Sequence, residues 1–453
     1  MLAKEVRRLA FPAIAHSLLQ TLVMVVDRAM LGHHAPASLA SMQIGGALEW
    51  SLWSVFSAFE VGTIARVGFH VGAGRPERAR RAAWMSIALA LAFGTAVAAV
   101  SPVLIGGLGW AVRGASPAVL DAAGAYLEWT LGASPVVFVA IAAIATLQAG
   151  GDTRTPLAIG IAANIVHVGM NRVLILGAFG VPALGARGAG ISTSITFTLE
   201  AALALFALSL SGRAVSLRAR PGATKSSRAA YLAEARLLSR VAVPAVVERV
   251  LYHLGFLGFV AVIARLGDAA MAANQSLISI EAICFMSADG FGVAAAALVA
   301  QKLGAGRPDD AEKAARLSIR YAVVLLTAAG LVFLVLRRVV LPIFSSDPLV
   351  IAIGAAAVPV LALAQPFMAT ATVLAQSLRG AGETRLVLGV SAFGALFLRL
   401  VCTWLFAITL DLGLTGVWIG STCDWIARAL LLLLLGRRRA RAVIDKARRA
   451  SRA

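Results

Sequence analysis

Gly72-Ala73-Gly74-Arg75-Pro76, followed by Ala79, Ala82 and Ala83, returns as Gly304-Ala305-Gly306-Arg307-Pro308, with Ala311, Ala314 and Ala315. The displacement is 232 residues (304 minus 72), about half of the 453-residue chain. Solenoid units repeat every ~20–50 residues, so this period indicates duplication of half a protein instead. Pro12 matches Pro244 and Glu49 matches Glu281 at the same displacement. Gly151-Asp152-Thr153-Arg154 returns as Gly382-Glu383-Thr384-Arg385, and Pro135 returns as Pro366. Leu184-Gly185 with Gly188 returns as Leu412-Gly413 with Gly416. The order never changes, and the register drifts by only a few residues.

The duplicated unit reads as membrane-embedded. The chain is 60% hydrophobic and 14% charged, against about 25% charged in soluble domains. Twelve apolar runs, between residues 9 and 436, are long enough to cross ~30 Å of hydrocarbon. The predicted fold is all-α and integral to the membrane, with twelve transmembrane helices in two pseudo-symmetric six-helix bundles. Residues 1–212 form the N-terminal lobe, 213–239 a linker, 240–437 the C-terminal lobe and 438–453 a basic tail. Parallel repeats of this kind build two-lobed transporters.

The net charge of +19 follows the loops. With loops assigned alternately to two sides, about 29 of the 41 Lys and Arg lie on the side of the termini, which the positive-inside rule assigns to the cytoplasm. Only Arg113, Arg187, Arg265, Arg337 and Arg338 fall opposite. The basic excess therefore reads as topology and contact with anionic lipids, not as a nucleic-acid surface. The expected location is the cell (inner) membrane, multi-pass, with both termini cytoplasmic. No cleavable leader is read, because the run after Arg7-Arg8 is of full spanning length. The linker is basic and turn-rich, and residues 229–240 read as a short amphipathic segment on the membrane surface.

No Gly-Lys-Ser/Thr follows the Gly-Ala-Gly-Arg-Pro turns, so they are not nucleotide-binding loops. The six His are scattered; the adjacent pair His33-His34 reads as a solvated turn. Cys284, Cys402 and Cys423 show neither disulfide nor zinc spacing. No metal site, cofactor or enzymatic centre is expected. Asp27 is the foremost candidate for chemistry, because a carboxylate within hydrocarbon must be paired, wetted or protonated. Its alternatives are proton carrier or fixed partner of Arg66 or Arg172. His167 could share its proton, or be a satisfied core histidine. Glu248, Arg249, Glu281 and Asp289 form a second-lobe polar set, either paired structurally or functional. Asp424 and Arg428, four apart, read as an ion pair, with Arg399 neutralised by one of the remaining acids.

Several motifs, taken in order, resemble the multidrug and toxic compound extrusion (MATE) family of the MOP superfamily. The first span carries Pro12, Leu18-Leu19-Gln20, Val26-Asp27 and Met30-Leu31-Gly32. The fourth carries Tyr126-Leu127, Pro135 and Gly151-Asp152-Thr153-Arg154-Thr155-Pro156. Gly188-Ala189-Gly190-Ile191-Ser192-Thr193 opens the sixth. Pro244 with Glu248, Asn274-Gln275, Ile280-Glu281, Gln365-Pro366-Phe367 and Leu378-Arg379-Gly380 continue the likeness. The resemblance implies a secondary active antiporter exporting amphipathic, often cationic, compounds in exchange for protons or sodium, by alternating access. It favours the DinF-like branch, which couples through an Asp fifteen residues after the first-span Pro; Pro12 and Asp27 have that spacing. The sodium-coupled NorM-like branch has an acid in the tenth span, absent here between Ile351 and Arg379. Asn171, Thr193 and Tyr126 are either polar partners of Asp27 in the same lobe or simple interhelical hydrogen-bonding groups, and Pro12 is read as a helix bend. His167 and Asn171 stand where the family often has Asn and Asp. Trp50, Trp53, Phe56, Phe138, Phe256, Phe285, Phe367 and Trp418, with Met42 and Met286, are candidates to line a drug cavity. The implied partners are small-molecule drugs or toxic metabolites and anionic membrane lipids, with the chain a monomer. The alternative within the superfamily is a flippase for lipid-linked precursors.

Overall fold

The computed structural model describes residues 2–111, 116–218, 227–345 and 347–452, with the backbone alone at Thr21, Pro36, Ala58, Ala111 and 437–452. Arg113, most of the linker's turn (219–226) and the tail's side chains thus lie outside the described residues. There are no strands among the described residues, and long helices dominate. They are α1 (Leu2–His34), α2 (Gly45–Gly72), α3 (Pro76–Gly106), α4 in two halves (Pro117–Gly132 and Ser134–Ala149), α5 (Arg154–Leu174) and α6 (Ala186–Ser209). The second set is α7 (Arg228–Ala264), α8 (Asp268–Gly304), α9 (Pro308–Val340), α10 (Pro348–Gly380), α11 (Thr384–Thr409) and α12 (Gly413–Arg452).

Ten of these helices are long and apolar enough to cross a membrane, and the bent pair of α4 adds an eleventh. α2, at 28 residues, has the length, ~42 Å at 1.5 Å per residue. Glu49, Glu60 and Arg66 lower its apolarity, and it completes the twelve. The protein is a multi-pass membrane protein.

The repeat is conformational as well as sequential. Gly74 and Gly306 have φ of 64° and 69°, Gly151 and Gly382 have 83° and 85°, and Gly185 and Gly413 have 55° and 53°. Each pair comes from the duplicated motifs, and each needs the left-handed region that glycine enters without a Cβ penalty. After Gly74 and Gly306, the amides of Arg75 and Arg307 bond back to the carbonyls of His70 and Lys302, both at 2.9 Å. These bonds close the C-termini of α2 and α8. Pro76 and Pro308 then start the next helices, where a missing N–H costs nothing.

One repeated residue is used differently in the two halves. Pro135 lies just after the break at Ala133, where the halves of α4 meet at 53°. Gly94 of α3 sits against this break, where an added Cβ would meet the backbone of Ser134 and Pro135. Its counterpart Pro366 lies within the uninterrupted α10.

The chain divides into two compact units: Met1–Ser17 with the residues from Val241 onward, and Leu18–Arg240. The first unit has a core of Leu277, Ile280, Leu361, Val417, Trp418 and their neighbours. Within it, Gly290 of α8 meets the backbone of Ile14, where a Cβ would lie 2.6 Å from Ile14 Cα. Glu5 accepts from Lys302 Nζ at 2.8 Å. The other unit packs Leu31, Leu127, Leu131 and Ile175 around Tyr126.

Residues 229–240, read as a short amphipathic segment, are helical and continue into α7, which starts at Arg228 and runs without a break through Pro244. The buried Glu234 binds Arg66 of α2 through both oxygens, at 2.8 and 3.1 Å, and lies 3.7 Å from His70. This ion pair ties one face of the segment to α2, while Leu232 and Leu237 stay exposed. His33 and His34 also differ from the expected turn: they form the last turn of α1, and His34 Nδ1 lies 3.0 Å from Ser38 Oγ.

Candidate functional site

Asp27 lies on α1 in the unit formed by Leu18–Arg240, seven residues beyond Gln20. Its Oδ1 meets His167 Nε2 at 2.7 Å and accepts from Asn171 Nδ2 at 2.5 Å. His167 and Asn171 are four apart on α5, one above the other, and are 2% and 0% exposed. Asp27 retains 16% of its side-chain surface, so its carboxylate is reachable on one side. Neither of the arginines weighed as fixed partners is bound to it: Arg66 holds Glu234, and Arg172 is exposed.

The imidazole's second nitrogen defines its hydrogen-bonding role. His167 Nδ1 lies 2.9 Å from Thr196 Oγ1 on α6, and that hydroxyl donates to the Ser192 carbonyl at 2.7 Å. With the Thr196 proton committed, Nδ1 donates to Oγ1, and one proton lies between Nε2 and Asp27 Oδ1. The same bonds are met by an imidazolium beside a carboxylate or by a neutral ring beside a carboxylic acid.

Tyr126 and Thr193 belong to the same region. The Tyr126 hydroxyl donates to Glu49 Oε2 and is also bonded to Thr193. Glu49 and Tyr126 both lie within electrostatic reach of Asp27. Asp27, His167 and Asn171 are thus joined directly, and Tyr126, with its partner Thr193, lies within electrostatic reach of Asp27. Two carboxylates in this unit were not singled out as part of that group: Glu49, the phenol's partner, and Glu200, which accepts a hydrogen bond from Gln20 and feels the charge of His167. Glu200 lies four residues beyond Thr196 on α6, a spacing legible only after His167 is placed against Thr196.

The second-lobe set lies in the other unit and is differently organised. Glu248 accepts from Arg379 Nη2 at 2.5 Å, and Asp289 accepts from Gln376 Nε2 at 3.0 Å. Arg249, Glu248 and Asp289 line a narrow cleft with Tyr252, Phe285 and Arg428. Glu281 is partly buried, within electrostatic reach of Arg399 and Arg428 and bonded to Trp425. Asp424 and Arg428 pair as read, at 2.5 Å. The expectation for Arg399 is corrected, because its partner is Asp424 itself, at 2.8 Å. Gly394 makes room for this shared acid: a Cβ there would meet Asp424 Oδ1, and α11 is locally widened to π-helix over Ala392–Leu398.

The aromatic list is also corrected. Trp418 and Phe138 are 1% exposed; Phe138 stacks on Phe56 at 3.6 Å between centroids, and Trp418 belongs to a packed core. Phe285 does line the cleft of the second-lobe set. Cys402 and Cys423, unrelated in sequence, lie in contact and are both free thiols.

The MatE family model matches residues 12–173 and 244–405, two blocks separated by the same 232 residues as the duplicated turns. A probable multidrug resistance protein NorM from Thermotoga maritima is 27% identical over 451 residues, covering 98% of this chain and 95% of the relative. Multidrug resistance protein PmpM from Pseudomonas aeruginosa is 26% identical over 459 residues, covering 99% and 94%. A solved outward-facing MATE family transporter of the MOP superfamily aligns at a TM-score of 0.89 and 19% identity, covering 98% of this chain and 97% of the other. A MOP superfamily transporter from Pyrococcus furiosus aligns at 0.89 and 19%, covering 98% and 96%. At that identity the two structures establish the shared fold. The matched blocks span most of the chain, which therefore belongs to the MatE family of membrane transporters and is not an enzyme.

Proposed function

We propose that this chain is a secondary active multidrug efflux antiporter, exporting amphipathic, often cationic, compounds in exchange for protons. Asp27 is the coupling group, with His167, Asn171, Thr193 and Tyr126 as its polar partners. The protein sits in the cell (inner) membrane as a monomer with both termini cytoplasmic, where its basic loops meet anionic lipids. The observation that carries the reading is Asp27 bound to a histidine and an asparagine and to no arginine, and still partly accessible. A fixed Arg pair would lock its charge, whereas an imidazole can exchange a proton with it. The names of the relatives supply the substrate class.

Protonation of Asp27 removes the charge that holds His167 and Asn171 to α1. The helix then relaxes about Pro12, where one backbone hydrogen bond is already missing, and the substrate leaves outward. The ion gradient biases the cycle only through differential affinity for its two states. Protons are favoured over sodium because Glu248 is held by Arg379 and α10 contains no acid. The test is efflux of a panel of cationic dyes from drug-sensitive cells under separately imposed pH and sodium gradients. Efflux driven by sodium alone, with none driven by pH, rejects the coupling assigned. The second reading, a flippase for anionic lipid-linked precursors, is favoured by the arginines lining the second-lobe cleft. Binding of such a lipid, with no dye efflux under either gradient, would establish it.

A further inference from the structure

We propose that Glu200 is a second proton-carrying carboxylate of the transport cycle, coupled to Asp27 through the imidazole of His167. This rests on the reading of Asp27 as the coupling group and extends it. Glu200 is 2% exposed, and two side chains act on it, His167 of α5 and Gln20 of α1. Packed against the same helix, the second half of α4 contains no titratable residue. In the first half, Asp121 and Glu128 are exposed, and Tyr126 is already bonded to Glu49. No arginine or lysine is bonded to Glu200 among the described residues, so no fixed cation holds it ionised.

The geometry makes His167 the link. Its Nε2 faces Asp27 and its Nδ1 faces Thr196, one helical turn before Glu200 on α6. Gln20, the partner of Glu200, lies seven residues before Asp27 on α1, ~10 Å along the helix at 1.5 Å per residue. The two carboxylates therefore meet α1 about two turns apart, and both interact with the His167 ring. With both acids ionised, the imidazolium is the only cation of the group and the cluster carries one net negative charge. Adding a proton to either carboxylate weakens its hold on that ring and makes the second addition respond to the first. Interacting sites of this kind titrate as a set. The proton leaves as it arrives, from a carboxylic O–H to water or to a neighbouring carboxylate, with no other bond changed.

The test uses the full chain in lipid and needs no substrate. Infrared difference spectra across a pH titration follow the carboxylic-acid C=O stretch, with isotopically labelled aspartate separating Asp27 from the glutamates. Glu200→Gln is expected to remove one titrating glutamate component, which Glu200→Asp restores as an aspartate component. Asp27→Asn is expected to shift the midpoint of the Glu200 component, and His167→Phe to abolish that shift. A spectrum unchanged by Glu200→Gln, or a Glu200 midpoint indifferent to Asp27→Asn, would overturn the proposal. Loss of the labelled aspartate component on Asp27→Asn checks the underlying reading separately. If that component is absent from the wild type, the coupling role of Asp27 fails whatever Glu200 does.

Discussion

Arg379→Gln should be among the most damaging single substitutions in the molecule, and Glu248→Gln added to it should recover most of the loss. Both side chains of this pair are 10% exposed, and they join α10 to α7 by a bond of 2.5 Å. Two unit charges at ~4 Å interact by about 4 kcal/mol at an effective dielectric of ~20. Removing one partner of a buried pair costs about 3–5 kcal/mol, because the remaining charge is left desolvated. Ser391 also bonds Glu248, and Arg249 lies within electrostatic reach, so the expected cost is near the lower end, about 3 kcal/mol. The double variant carries two neutral amides of nearly unchanged size and should lie within about 1 kcal/mol of the wild type. Equilibrium unfolding of the purified protein in detergent, run as a double-mutant cycle, measures both numbers. An Arg379→Gln protein as stable as the wild type would refute the pairing, and with it the argument that Glu248 is not free to bind a cation.

Tyr126→Phe strips a buried Glu49 of its donor and should cost about 1–3 kcal/mol in the same unfolding assay. Gly94→Val should destabilise by about 1–3 kcal/mol or more, because any Cβ meets the backbone at Pro135. Gly389→Ala, in a helix with open space around it, is the tolerated control. Glu234→Gln weakens the tie from α7 to Arg66, and hydrogen exchange should rise selectively over residues 228–240. Glu5→Gln should do the same over residues 2–17 through Lys302.

Much of this architecture was legible in the sequence because duplication wrote the same backbone instructions twice. The glycines at 74 and 306, and at 151 and 382, need one conformation, so the motif and the geometry repeat together. Pro135 and Pro366 show the limit of that logic. Both belong to duplicated motifs, and a glycine of the preceding helix packs near each, Gly94 and Gly330, yet only Pro135 stands at a break. The continuity of residues 229–240 with α7 was not legible, because nothing local shows that Glu234 meets Arg66, 168 residues away. Asp27 was readable as an acid within an apolar span, fifteen residues after Pro12. Glu200 was not, since an acid beside alanines and threonines carries no local signal until His167 and Gln20 are placed beside it. Trp418 and Phe138 looked like cavity aromatics for the converse reason, because composition does not distinguish a ring that packs in a core from one that lines a cleft.

Substrate export from proteoliposomes holding Asp27→Asn protein, driven by an imposed pH gradient, tests the central claim most directly. The asparagine keeps the shape and can still bond His167 and Asn171, but it cannot take up a proton. Export should fall to the level of empty liposomes while substrate binding persists. Export at the wild-type rate would contradict the account.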